Sequence, residues 1–116
     1  MADTLNPTWE DVEDFVEAVA EWCGDVIGVY APPRGGLVFG AMLSYKLGVP
    51  MLLAPCDGCL IVDDISDTGD TLIHYRRTLK CSIATMYYVD GSMTVPDLWL
   101  MEKKRGQWVV FPWERA

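Results

Sequence analysis

Two periodicities of apolar residues divide this chain into alternating elements. Trp9, Val12, Phe15, Val16 and Val19 recur at helical spacing, with Glu10, Asp11, Glu13, Asp14 and Glu17 filling the other face. This predicts an amphipathic helix capped by Thr8, running to about Trp22 and stopped by Gly24. Asp25 to Ala31 is a short apolar run that predicts a buried strand, and Pro32-Pro33-Arg34-Gly35-Gly36 predicts a loop. Leu37 to Leu47 reads as a mostly apolar helix closed by Gly48 and Pro50. A short strand over Met51 to Pro55 follows. Asp57-Gly58, lying between apolar runs, predicts a hairpin turn into Leu60-Ile61-Val62. A helix from about Asp70 to Leu79 and a strand from Ser82 to Val89 complete the clear pattern. Beyond Gly91 it weakens, with strands expected near Leu98–Met101 and Trp108–Phe111.

Strands alternating with helices imply an α/β fold, a three-layer arrangement in which helices flank a mainly parallel sheet. Its ligand site is expected at the strands' carboxyl ends. At 116 residues the chain is expected to form one domain over 1–116, with a core over about 8–90 and a small C-terminal unit over about 91–114.

Composition narrows the function. The 51% hydrophobic content and five Trp exclude a disordered segment. A net charge of −8 argues against a nucleic-acid partner, because a phosphate backbone needs a basic surface. Small phosphorylated ligands, held by local groups, stay open. The acidic start MADTLNPTWEDVEDF and the lack of a long apolar run predict no secretory signal, no membrane span and a cytoplasmic location. The four cysteines then read as free thiols. Cys56-x-x-Cys59 could be half a zinc site or a redox pair, but it has no matching second ligand pair and opens no helix, so two thiols is the favoured state. His74, the only histidine, reads as a surface residue.

The chemistry concentrates in Cys59 to Leu72, CLIVDDISDTGDTL. An apolar strand delivers Asp63 and Asp64 to its end. A turn then carries Asp67-Thr68-Gly69-Asp70-Thr71 into a helix start, where backbone N–H groups and hydroxyls suit a phosphate. The carboxylates lie where ribose hydroxyls or a hydrated Mg²⁺ would sit. Helix capping alone accounts for one or two such residues but not for the ordered set.

This stretch closely resembles the phosphoribosyl-pyrophosphate signature of type I phosphoribosyltransferases, nearest the xanthine and hypoxanthine-guanine enzymes of purine salvage. Two further segments, YAPPRGGLVFGAMLSYKLGVP and GQWVVFPWE, resemble that family's pyrophosphate loop and base-binding hood. The resemblance implies Mg²⁺-dependent transfer from phosphoribosyl pyrophosphate to a six-oxopurine, giving a nucleoside monophosphate and pyrophosphate. It assigns Asp63 and Asp64 to the ribose hydroxyls and, indirectly, the metal environment. Thr68, Gly69, Asp70 and Thr71 become the 5′-phosphate cradle, and Arg34, Gly35 and Gly36 the pyrophosphate loop. Trp108 and Val109 become base-binding residues, with Trp108 weighed evenly against an ordinary core role. Asp67 becomes the catalytic acid–base beside the base's imidazole edge. Trp113 is expected to be structural.

Two departures from the family pattern are visible. The long loop that closes over pyrophosphate is replaced by the short stretch from Pro55 to Leu60, and Val89 stands where a base-binding Lys is expected. The alternative is therefore a domain of the same fold that binds phosphoribosyl pyrophosphate or a nucleotide without turnover, as a sensor or regulatory unit. The resemblance also allows a homodimer in which a partner chain supplies the missing cover.

Overall fold

Thr8 opens the first helix as expected: its backbone N–H donates to the Asp11 carboxylate at 2.8 Å, and the Asp11 N–H donates back to Thr8 Oγ1 at 3.1 Å. The computed structural model describes residues 4–115. In chain order the elements are β1 (Thr4–Leu5), α1 (Trp9–Trp22), β2 (Val29–Tyr30), α2 (Leu37–Leu47), β3 (Leu60–Ser66), α3 (Asp70–Thr78), β4 (Ser82–Val89), β5 (Leu98–Lys103) and β6 (Trp108–Val109). A short 3₁₀ helix, Pro112–Glu114, follows.

Four strands form one parallel sheet in the order β2-β3-β4-β5. Because side chains alternate along a strand, the sheet feeds two apolar layers. Leu60, Val62, Ala84 and Met86 pack with Val12, Phe15, Val19, Phe39 and Leu43 from α1 and α2. Ile61 and Ile83 pack with Leu72 of α3 and, further out, Tyr75. The expected three-layer α/β architecture is thus present.

The predicted strand over Asp25–Ala31 shrinks to Val29–Tyr30. It is the sheet's edge, and among the described residues its outer side is paired only at the Val29–Met51 bridge, so little extended pairing is enforced there. The strand expected over Met51–Pro55 is reduced to that one bridge, which is parallel. Pro50 and Pro55 lack the N–H that a ladder needs, and Leu53 is fully exposed.

The hairpin expected at Asp57-Gly58 does not form, because β3 has only parallel partners. The turn exists, with Gly58 at φ +84°, but it docks on the α3–β4 junction instead. Asp57 Oδ1 accepts from the Lys80 N–H, and the Gly58 N–H donates to the Lys80 carbonyl, both at 2.8 Å. All four cysteines are unbridged.

At the C-terminal side β5 runs two residues longer than expected, to Lys103, and the predicted Trp108–Phe111 strand keeps only Trp108–Val109. The unexpected element is β1, which pairs in parallel with β6, Thr4 opposite Trp108 and Leu5 opposite Val109.

Candidate active site at the carboxyl edge of the sheet

Asp63 and Asp64 follow the apolar Leu60–Val62 run in β3, and their environments differ. Asp63 is 8% exposed, and its Oδ1 accepts from the Asp64 N–H at 2.9 Å. Burial, reinforced by the adjacent Asp64 charge, pushes the Asp63 carboxyl up to about 8. Asp64 is half-buried, with Oδ1 accepting from the Ile65 N–H at 2.8 Å. Tyr75 of α3 lies edge-on to Tyr30, and its hydroxyl is raised first by its hydrogen bond with Tyr30, then by burial and nearby charge including Asp63.

The turn after β3 is braced from beneath. Gly69 precedes α3 at φ +83°, and a Cβ there would lie 2.7 Å from Ser92 Oγ and 2.8 Å from the Met93 nitrogen. Only glycine fits. The Met93 N–H donates to the Thr68 carbonyl and Thr94 Oγ1 to the Gly69 carbonyl, each at 2.8 Å. Ser66 Oγ donates to the Thr94 carbonyl at 2.7 Å and pairs with Ser92 Oγ at 2.9 Å. Arg76 holds the same loop to α3 through both Asp97 oxygens, at 3.1 and 3.0 Å. The turn's carbonyls are thus engaged on the protein side, while the first α3 amides have no partner within the helix. Thr68, Asp70 and Thr71 are exposed beside a cleft of about 250 Å³ that runs along Asp63–Leu72.

A second cleft, of about 290 Å³, adjoins the first. Asp64, Ile65 and Asp67 line both, and Lys103, Trp108 and Val109 line the second. Trp108 is 72% exposed, so the core role is excluded and its ring is open to a ligand. Val109 is buried in the core and forms the cleft's inner wall. Trp113 is structural: it stacks on Phe111 at 5.0 Å and meets Phe39 edge-on at 5.1 Å. Asp67 lies at the junction of the clefts, with Arg105 Nη1 donating to its Oδ1 at 2.9 Å and Lys103 Nζ 3.5 Å from its Oδ2.

The Arg34 loop reaches this edge from β2. A Cβ on Gly36 would lie 2.6 Å from the Val62 carbonyl oxygen, so the loop backbone rests against the middle of β3. The Pro33–Arg34 peptide is cis. Arg34 is exposed and makes no salt bridge among the described residues. Among those residues no group of three or more His, Cys, Asp or Glu is placed to hold a metal ion. The Asp63–Asp64 pair suits the outer shell of a hydrated ion better than direct chelation.

The chain is 27% identical over 135 residues to a xanthine-guanine phosphoribosyltransferase of Nitratidesulfovibrio vulgaris, covering 92% of this chain and 82% of the relative. That alignment is longer than the chain itself, so the relative carries residues with no counterpart here. A purine phosphoribosyltransferase from Pyrococcus horikoshii superposes with a TM-score of 0.79 at 25% identity, covering 98% of this chain and 96% of that one. The chain has the type I phosphoribosyltransferase fold. A Neisseria gonorrhoeae protein of uncharacterised function, solved with ppGpp bound, shares this phosphoribosyltransferase architecture at a TM-score of 0.72 and 15% identity, over 100% of this chain and 92% of that one. No family model matches the chain.

The twelve positions singled out from the sequence on this fold do converge on one edge, although Arg34 points no contact at the others. Four features escaped sequence reasoning. Lys103 and Arg105 reach Asp67 only through the β4–β5 register, which sets Val89 opposite Lys103. The Ser92–Thr94 brace and the Tyr30–Tyr75 pair come from loop and helix packing. The Lys103-Lys104-Arg105 run was their only sequence signal.

Proposed function

We propose that this chain transfers the phosphoribosyl group of Mg²⁺-bound phosphoribosyl pyrophosphate to a six-oxopurine base. The observation that carries this reading is the pair of adjoining clefts that share Asp64, Ile65 and Asp67. One is built for a phosphorylated sugar and the other for a flat heterocycle, with a carboxylate at the junction.

In this reading the Thr68–Thr71 amides and hydroxyls hold the 5′-phosphate, and Asp63 and Asp64 hold the ribose hydroxyls. The exposed Arg34 guanidinium and the Gly35-Gly36 amides take the pyrophosphate, a planar fork of donors matching its oxygens. Asp63 and Asp64 would hold the hydrated shell of Mg²⁺, which would supply charge neutralisation for the leaving group. The bond from the anomeric carbon to pyrophosphate breaks as one forms to a ring nitrogen of the base. Asp67 takes that nitrogen's proton, and its charge stabilises the cationic ribose in between. Trp108 supplies the stacking face.

A binding-only reading draws on two observations. The Asp67 carboxylate is occupied by Arg105 and lies beside Lys103, and among the described residues nothing spans the clefts as a lid. The Neisseria neighbour was solved with ppGpp bound, which supports a phosphorylated nucleotide as the ligand in this reading. Incubation with Mg²⁺, phosphoribosyl pyrophosphate and hypoxanthine, guanine, xanthine or adenine separates the readings. Nucleotide from any base supports the enzyme; calorimetric binding of phosphoribosyl pyrophosphate with no nucleotide supports the sensor.

A further inference from the structure

Cys56 and Cys59 take no part in the proposed transfer, yet the fold brings them together without a hairpin or a helix. They close a hydrogen-bonded turn, in which the Cys59 N–H donates to the Cys56 carbonyl at 3.3 Å. Asp57 keeps a negative φ while Gly58 stands at +84°, the pattern of a type II turn rather than of a hairpin turn. Such a turn holds its end Cα atoms within about 7 Å of each other. Disulfides span about 4.4–6.8 Å between Cα atoms, so the turn sets the pair at bridging range.

Backbone contacts on three sides keep this turn in place. Asp57 Oδ1 accepts from the Lys80 N–H and the Gly58 N–H donates to the Lys80 carbonyl, both at 2.8 Å. The Gly58 carbonyl accepts from the Ile27 N–H at 3.1 Å, and the Cys59 carbonyl from the Ser82 N–H at 3.2 Å. The two thiols differ in access. Cys56 is half-buried, while Cys59 is buried and packed with Ile61, Leu72 and Ile83. Burial pushes the Cys59 thiol up, and the Cys56 side chain adds to the rise by charge and by hydrogen bonding. Cys81 packs in the same layer but lies outside the turn. Cys56 and Cys59 thus pair a reachable thiol with a sheltered one held beside it, the arrangement that thiol–disulfide exchange requires.

We propose that Cys56 and Cys59 form a reversible dithiol–disulfide site that exchanges with low-molecular-weight disulfides. Cys56 gives its proton to water and attacks one sulfur of the small disulfide, whose S–S bond breaks to release one half as a thiolate. Cys59 then loses its proton to water and attacks the Cys56 sulfur, expelling the second half. The protein gives up two electrons and two protons, and the small disulfide becomes two thiols. Because the turn already holds Cys59 beside Cys56, the second step needs no second encounter. Reduction retraces the path, entering at Cys56 and expelling Cys59, whose raised thiol makes it a slow leaving group. The pair lies just ahead of Leu60, at the amino edge of the sheet, whereas the clefts open at the carboxyl edge. The site therefore stands independently of the transferase reading.

The test incubates the folded full chain with oxidised glutathione and reads intact mass, free thiols and cross-linked peptides. One Cys56–Cys59 link should form, removing two of the four free thiols, and dithiothreitol should restore both. Cys59→Ala should stop at a single glutathione on Cys56, because no partner expels it. Cys56→Ser should gain neither a link nor a glutathione at Cys59. Cys81→Ser should form the same link as the wild type. Thermal melts establish that each sample is folded, and Cys59→Ser repeats the trapping experiment if Cys59→Ala unfolds. The proposal is wrong if both thiols stay free in the folded chain, or if the link appears only in denaturant. A link from Cys59 to Cys81, or glutathione lodged on Cys59, overturns it equally.

Discussion

Gly35 and the Asp64 carboxylate share one volume: a Cβ on Gly35 would lie 2.5 Å from Asp64 Cγ and 2.7 Å from Oδ1. The glycine of the Arg34 loop therefore sets where the carboxylate at the end of β3 can stand. Gly35→Ala should displace Asp64 or lift the loop, costing about 1–3 kcal/mol as overpacking does. If Asp64 faces the ribose, calorimetry should show Mg²⁺-phosphoribosyl pyrophosphate binding weakened by about tenfold or more for each 1.4 kcal/mol transferred to the site. Unchanged affinity would detach Asp64 from the ligand.

Asp63 makes stability depend on pH in an unusual direction. Its folded pKa, about 8, lies above the ordinary carboxyl value of 3.8. The folded chain thus keeps a proton that the unfolded chain releases, so the stability this group contributes is full below about pH 4 and is lost as pH rises toward 8. Without ligand, the difference in Tm between wild type and Asp63→Asn should shrink or reverse as pH rises through this window. A difference that grows with pH would mean that Asp63 is charged in the folded protein.

Thr68 and Thr71 test the phosphate cradle. Val keeps their shape and removes the hydroxyls. Each lost bond to a charged phosphate should cost about 1.5–3 kcal/mol of binding. A double variant that binds Mg²⁺-phosphoribosyl pyrophosphate as the wild type does would place the phosphate elsewhere.

Asp67→Asn separates chemistry from binding. Asn leaves the braced turn in place, so phosphoribosyl pyrophosphate affinity should survive while turnover falls by about a hundred- to ten-thousand-fold. Equal losses in rate and affinity would assign Asp67 to binding, and its contacts with Arg105 and Lys103 would then be structural.

The open clefts lead to a prediction about water. With no lid among the described residues, an isolated chain should release free ribose phosphate from phosphoribosyl pyrophosphate when no base is present, since water weakens the site's electrostatics and reaches the anomeric carbon. If a second copy covers the site, activity per chain should drop on dilution. Fast transfer that is independent of concentration, without ribose phosphate release, would show that no cover is needed.

Most of what positions this site was legible in the residues themselves. Thr8 and Asp11, the Val12–Val19 face and the Leu60–Val62 run are local patterns with one good structural solution. The same holds for Asp63 to Thr71, which follow one another from β3 through the turn into α3. What could not be read depends on partners distant in sequence. Asp57-Gly58 carries a hairpin signal, yet the parallel sheet leaves no antiparallel partner and Lys80 captures the turn. Met51–Pro55 is apolar enough for a strand, but its prolines and edge position leave one bridge. Lys103 looks like one more surface Lys until the pairing with β4 buries it beside Asp67.

The β1–β6 pair joins the two ends of the described chain. Thr4 and Leu5 flank Trp108 and Val109, and Arg115 donates to the Pro7 carbonyl at 2.5 Å. Contacts so distant in sequence form late, after the locally connected elements. The strand carrying Trp108 thus depends on a partner about a hundred residues away in sequence. A purification tag or a deletion ahead of Thr8 would disturb the cleft beside Trp108 while sparing the Thr68–Thr71 turn, so assays of this protein should place any tag with that in view.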